Sequence, residues 1–112
     1  MLGLVNFENM KEQEIKQFAL EYREGLLGDK SSHSMCWVVT QPLSLLLKEI
    51  GIDNQIVCYD IDSSRSVEPL DCEVVEHYCI KIGRKILDPT ADQFGLDKVF
   101  FGSRPIWYAD QN

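Results

Sequence analysis

Apolar residues recur every three or four positions in the first half of the chain and at alternate positions in much of the second. From Asn9 to Leu27, Ile15, Phe18, Ala19, Tyr22 and Leu26 repeat at helical spacing with Lys and Glu between them. This predicts an amphipathic helix capped by Asn9 and stopped by Gly28. Gly28 to Ser34 is a polar loop. Cys36 to Ile50 carries a second stripe, Trp37, Val39, Leu43, Leu46, Leu47 and Ile50, ended by Gly51. Pro42 interrupts that stripe, because an interior proline removes a hydrogen bond and kinks the axis. Two starts fit: a kinked helix from Ser34 or Met35, or a helix from Thr40 with Pro42 in its first turn. The first is preferred because it sets Cys36 at a helix amino terminus, where the backbone dipole favours a thiolate.

Beyond Gly51 the period shortens. Gln55 to Ile61 is β-rich, Asp62 to Ser66 reads as a mobile loop, and Val67 to Cys72, broken by Pro69, is an edge strand or an irregular connection. Val74 to Ile82 and Lys85 to Asp88 then flank Gly83-Arg84, a two-residue hairpin turn. If Ile82 pairs with Lys85, Cys79 lies opposite Asp88. Alternation then puts Val75, His77, Cys79 and Asp88 on one face and Tyr78, Ile80, Ile82 and Leu87 on the other. His77 and Asp88 become diagonal neighbours, roughly 7–8 Å apart at the backbone. A three-residue loop would turn Asp88 to the opposite face. Short strands at Lys98 to Phe101 and Ile106 to Tyr108 complete the pattern. Helices followed by an antiparallel sheet predict an α+β fold.

Composition narrows the functional classes. At 112 residues the chain fits one domain, spanning 1–112. A net charge of −7 disfavours nucleic acid and anionic membrane surfaces. The stretch Met1 to Glu8 has no basic region or sustained apolar run, so no signal peptide and no transmembrane helix are expected. That favours a cytoplasmic protein, although a specialised export machine would not require such a signal. The four cysteines, Cys36, Cys58, Cys72 and Cys79, show no paired spacing. They are read as reduced thiols, three of them buried.

With only two histidines in the chain, the placement of His77 beside Asp88 stands out. An imidazole oriented by a carboxylate activates a thiol, and Cys36 is the candidate nucleophile. His33-x-x-Cys36 has metal-ligand spacing, but no second pair completes a site, and neither metal nor cofactor is expected. Asp92 and Gln93 are candidate supports around the site.

These residues resemble a family. Cys36-Trp37-Val38, Gly51-Ile52 closing the helix, Val57, His77, and Asp88-Pro89-Thr90 followed by Ala91 to Gly95 are similar to the transglutaminase-like branch of the papain-fold cysteine enzymes, in particular small bacterial members. The resemblance covers Cys36 to Gly95. It implies a papain-like core with Cys36 as nucleophile, His77 as general base and Asp88 as orienting carboxylate. Ser34-Met35 stand where the family often has Gly-Gln, and Cys79 and Lys81 replace its Trp and Glu. The backbone of Cys36 would supply one oxyanion donor, with Trp37, Ser34 or Gln93 as the supporting group. The implied chemistry is acyl transfer from a protein or peptide amide, as a glutamine deamidase or peptidase. Two alternatives are a catalytically silent protein-binding domain, using its acidic surface or Phe100, Phe101, Trp107 and Tyr108, and a toxin or effector deamidase.

Overall fold

The structure, a computed structural model, describes residues 7–28, 30 and 32–111. Two helices, α1 (Phe7–Leu27) and α2 (Cys36–Glu49), precede five strands: β1 (Gln55–Asp62), β2 (Val74–Ile82), β3 (Lys85–Asp88), β4 (Phe100–Gly102) and β5 (Ala109–Asp110). The strands form one antiparallel sheet in the order β4-β3-β2-β1-β5. The fold is therefore α+β, helices on an antiparallel sheet, as the periodicity predicts.

The hairpin has the expected register. Ile82 pairs with Lys85, Lys81 with Ile86 and Ile80 with Leu87. Gly83 occupies the first turn position at φ +61. This suits a type II′ turn, whose twist matches the flanking strands and whose first residue favours glycine. Alternation then separates two cores. Ile80 and Leu87 pack with Ile15, Ala19, Leu43 and Leu47 under the helices. On the reverse face Tyr59, Ile61, Cys79 and Ile86 pack with Phe94 and Tyr108 from the following loops.

The boundaries differ from expectation at several points. Helix α1 already runs from Phe7, so Asn9 lies inside it rather than capping it. Gly28 does terminate it, at φ +59 with its N–H donating to the Glu24 carbonyl. Helix α2 is one helix containing Pro42; it starts at Cys36, one or two residues later than the Ser34 or Met35 start expected, and Ile50 caps it. Asp62 to Ser66 closes as a single 3-10 turn held by the Asp62 carboxylate on the Ser64 N–H. Val67 to Cys72 forms no strand. Ile106 to Tyr108 is a turn, and β5 begins only at Ala109. Of the thiols only Cys79 is buried; Cys36 and Cys58 are partly exposed and Cys72 is exposed, because Cys72 falls in the irregular connection. Among the described residues no helix is long and apolar enough to cross a membrane.

Candidate active site

Strand β3 is short because Pro89 follows Asp88 and offers no N–H to the ladder. Beyond that point β2 loses its neighbour on this side, and the backbone of Tyr78 is left at an open edge. The first turns of α2 occupy it: Thr40 Oγ1 donates to the Tyr78 carbonyl at 3.3 Å, and the Tyr78 N–H is a hydrogen-bond donor to the Cys36 sulfur. An edge position lets Cys36, on a helix that covers one face of the sheet, meet His77, whose side chain points to the other.

His77 is fully buried, and its Nε2–H donates to Asp88 Oδ2 at 2.7 Å. That bond fixes the tautomer. Nδ1 makes no conventional hydrogen bond, and the thiol of Cys36 interacts with the ring both electrostatically and through a looser hydrogen bond. Asp88 is itself saturated. Tyr108 Oη donates to Oδ2 at 2.6 Å and the Thr90 N–H donates to Oδ1 at 3.1 Å. The latter is the side-chain-to-backbone bond that also shapes the turn after β3. Phe94 and Tyr108 set their rings edge-on to the imidazole at 4.8 and 5.7 Å. A buried carboxylate with several donors can hold an imidazolium in a dry site.

The electrostatics follow from this packing. Burial works against a charged His77, but the Asp88 charge and hydrogen bond overcome it, and the imidazole holds its proton up to about pH 9. For Cys36 burial also works upward, yet the hydrogen bonds from His77 and the Tyr78 backbone and the imidazolium charge bring the thiol below its ordinary 9.0. Each group therefore favours the charged form of the other, the imidazolium lowering the thiol and the thiolate raising the imidazole. Burial above all, then Asp88, pushes the Cys79 thiol far up and leaves it an inert neighbour.

The remaining candidates divide. Ser34 and Gln93 meet, the Ser34 N–H donating to Gln93 Oε1 at 3.3 Å, while Gln93 Nε2 is buried and unpartnered. Trp37 is half exposed, its ring edge-on to Tyr78 at 4.9 Å. Asp92 does not join the triad. It forms a bidentate pair with the buried Arg23 at 2.7 and 2.8 Å and also accepts from Ser32. Arg23 additionally donates to the carbonyls of Pro89 and Lys98, so α1 is pinned to the loop that follows Asp88. His33 pairs with Glu68 at 2.9 Å. A cavity of about 340 Å³, lined in part by Arg23, His33, Asp92 and Gln93, opens beside this loop.

No pattern in the sequence assigns Tyr108 to the site, which it reaches from 20 residues beyond Asp88. Burial, and then the adjacent Asp88, keeps its phenol protonated and therefore a donor. Tyr108→Phe is expected to cost about 1.5–3 kcal/mol, the range for a hydrogen bond to a charged group, in urea denaturation. A loss below about 0.5 kcal/mol would mean that Asp88 does not rely on this donor.

The site defines a class by geometry alone: an α+β protein with a partly exposed cysteine at a helix start, coupled to a buried His–Asp pair. Comparison with protein-family models, with characterised proteins and with solved structures gives no match.

Proposed function

We propose that this protein is a cysteine-dependent acyl-transfer hydrolase acting on protein or peptide amides, with a core of the papain-like, transglutaminase-like kind. The observation that carries this reading is the chain of contacts Tyr108–Asp88–His77–Cys36, which ends on a partly exposed cysteine whose thiol is held below its ordinary pKa. A purely structural thiol is normally pushed up by burial, as Cys79 is.

The thiolate of Cys36 attacks the amide carbonyl carbon and forms a tetrahedral intermediate. The imidazolium of His77 protonates the departing nitrogen, the C–N bond breaks, and an acyl thioester remains on Cys36. Neutral His77 then takes a proton from water as it attacks, and the thioester collapses to a carboxylic acid and the free thiol. Asp88 holds the ring and stabilises its charged form throughout. A side-chain carboxamide would be deamidated and a backbone amide cleaved; the active-site geometry is common to both.

The oxyanion needs two donors. The Cys36 N–H, one of the unpaired donors of the first turn of α2, supplies one. Gln93 supplies the other through Nε2, its carboxamide being anchored by Oε1 on the Ser34 N–H. Ser34 has φ +60, a left-handed conformation ordinarily taken by glycine, at the position where the resembled family often carries one. That agreement of backbone and pattern supports the assignment, and Gln93 would stand in for the glutamine that Met35 replaces.

The test is labelling followed by turnover. At pH 7 iodoacetamide is expected to modify Cys36 at least 10-fold faster than the exposed Cys72, read by peptide mass spectrometry, an advantage within the span set by thiolate fraction. Incubation with glutamine-containing proteins should then give a one-dalton gain or a cleavage that Cys36→Ala abolishes. Equal labelling of Cys36 and Cys72 would falsify the activated-thiol reading.

A further inference from the structure

The sheet is longer than the helix that covers it. Helix α2 starts at Cys36 over Tyr78, and on the same face beyond it come the cross-strand pairs Cys58–Tyr78, Asp60–Glu76 and Asp62–Val74. Among the described residues no helix covers these outer pairs: Glu76, Asp62 and Val74 are exposed, and Asp60 is half-buried. The edge-on pair of Trp37 and Tyr78 forms the border of this surface next to the nucleophile.

Asp60 and Glu76 are directly opposite each other, an arrangement that destabilises a strand pair through like-charge repulsion. Gln111 Nε2 donates to both, at 3.0 Å to Asp60 and 2.8 Å to Glu76, which ties the two carboxylates together without neutralising either. Among the described residues no lysine or arginine pairs with them. Their field reaches the catalytic surroundings, since Glu76 and Asp60, after burial, raise the neighbouring Cys58 thiol.

We propose that this uncovered face docks a basic, extended segment of the protein substrate alongside the reacting amide. The proposal rests on Cys36 being the nucleophile. A second copy of this chain, also at −7, would be repelled, and a nucleic acid has the wrong sign. A Lys or Arg side chain matches both parts of the surface. Its stem and cation suit the half-exposed Trp37, whose ring face attracts a cation, and its charge suits Asp60 and Glu76.

The experiment measures alkylation of Cys36 in the full chain by three reagents with one warhead: chloroacetyl-Gly-Lys-Lys-amide, chloroacetyl-Gly-Gly-Gly-amide and chloroacetyl-Gly-Glu-Glu-amide. At low salt the cationic reagent should react about 3- to 10-fold faster than the neutral one, and the anionic reagent slower. The preference should contract at about 1 M salt, where screening acts over roughly 3 Å. Asp60→Asn/Glu76→Gln should bring the cationic-to-neutral ratio close to one, the ratio cancelling any change in the intrinsic reactivity of Cys36. Glu14→Gln/Glu21→Gln, exposed positions on α1 with the same change in net charge, should keep the preference. Equal cationic and neutral rates, or equal loss in both double variants, overturns the docking face. If the neutral reagent instead modifies Cys36 no faster than Cys72, the activated-thiol reading fails, while the cationic-to-neutral ratio still reports on the face.

Discussion

Asp88→Ala is expected to destabilise the protein by about 3–5 kcal/mol, the range for removing one partner of a buried ion pair. The carboxylate is inaccessible and receives His77 Nε2, Tyr108 Oη and the Thr90 N–H. Alanine strands all of these donors, and the imidazole must either give up its proton or remain as an uncompensated buried charge. For a chain of this length the midpoint should fall by roughly 4 °C per kcal/mol. Asp88→Asn keeps the volume and one acceptor, so its cost should be smaller, about 1–3 kcal/mol. It nevertheless removes the countercharge, and His77 should lose its proton well below pH 9 in this variant. Urea denaturation checks the first figure and NMR titration of the imidazole the second. If Asp88 only shaped the turn at Thr90, Asp88→Ala would cost about 1 kcal/mol, as a lost cap does.

The hairpin that carries this pair was legible because two local rules act together there. A glycine-led two-residue turn sets the register, and strict alternation then assigns the face of every side chain from Val75 to Asp88. Cys36 was legible at lower precision, since the stripe of α2 locates the helix but not its first residue, and Pro42 suits either start. What could not be read depends on chain folding over long sequence separations. Tyr108 reaches Asp88 from a turn 20 residues later, and its periodicity suggests a strand because aromatic and β-branched residues cluster there for burial rather than pairing. Arg23 stands on α1 among charged residues, where a solvent-facing side chain is the ordinary expectation, and only the carbonyls of Pro89 and Lys98 and the carboxylate of Asp92 explain its burial. Asp92, read as a support for the triad, supports instead the loop that leaves it. Sequence proximity to Asp88 was a poor guide, because the 3-10 turn from Ala91 to Phe94 sends successive side chains in different directions: Asp92 to Arg23, Gln93 to Ser34 and Phe94 to His77.

His77→Gln is expected to slow alkylation of Cys36 at pH 7 by about 10- to 100-fold and to reduce amide turnover by roughly 10²–10⁴. The first limit is arithmetic: a thiol at its ordinary 9.0 is only about 1% ionised at pH 7, so full activation contributes at most ~100-fold, and the weaker nucleophilicity of a more acidic thiolate trims this. The pH profiles separate the roles. Alkylation of the wild type should rise with ionisation of Cys36 at a pH below 9, and in His77→Gln the rise should move towards 9. Turnover in the wild type should also fall above about 9, where His77 no longer holds the proton needed by the departing amine. Stability carries the same signature with defined sign. The folded imidazole is raised from 6.5 to about 9, so its contribution is complete below 6.5 and is lost as the pH rises through 9. Cys36, lowered in the folded state, contributes above its unfolded value of 9.0 and loses that contribution as the pH falls through its folded one. The two slopes oppose each other between the folded value of Cys36 and pH 9. Cys36→Ala should therefore expose a decline in stability from pH 6.5 to 9 that the wild type partly masks, and Cys36→Ala/His77→Gln should remove it. A decline of equal steepness in the single and double variants would place its origin outside His77.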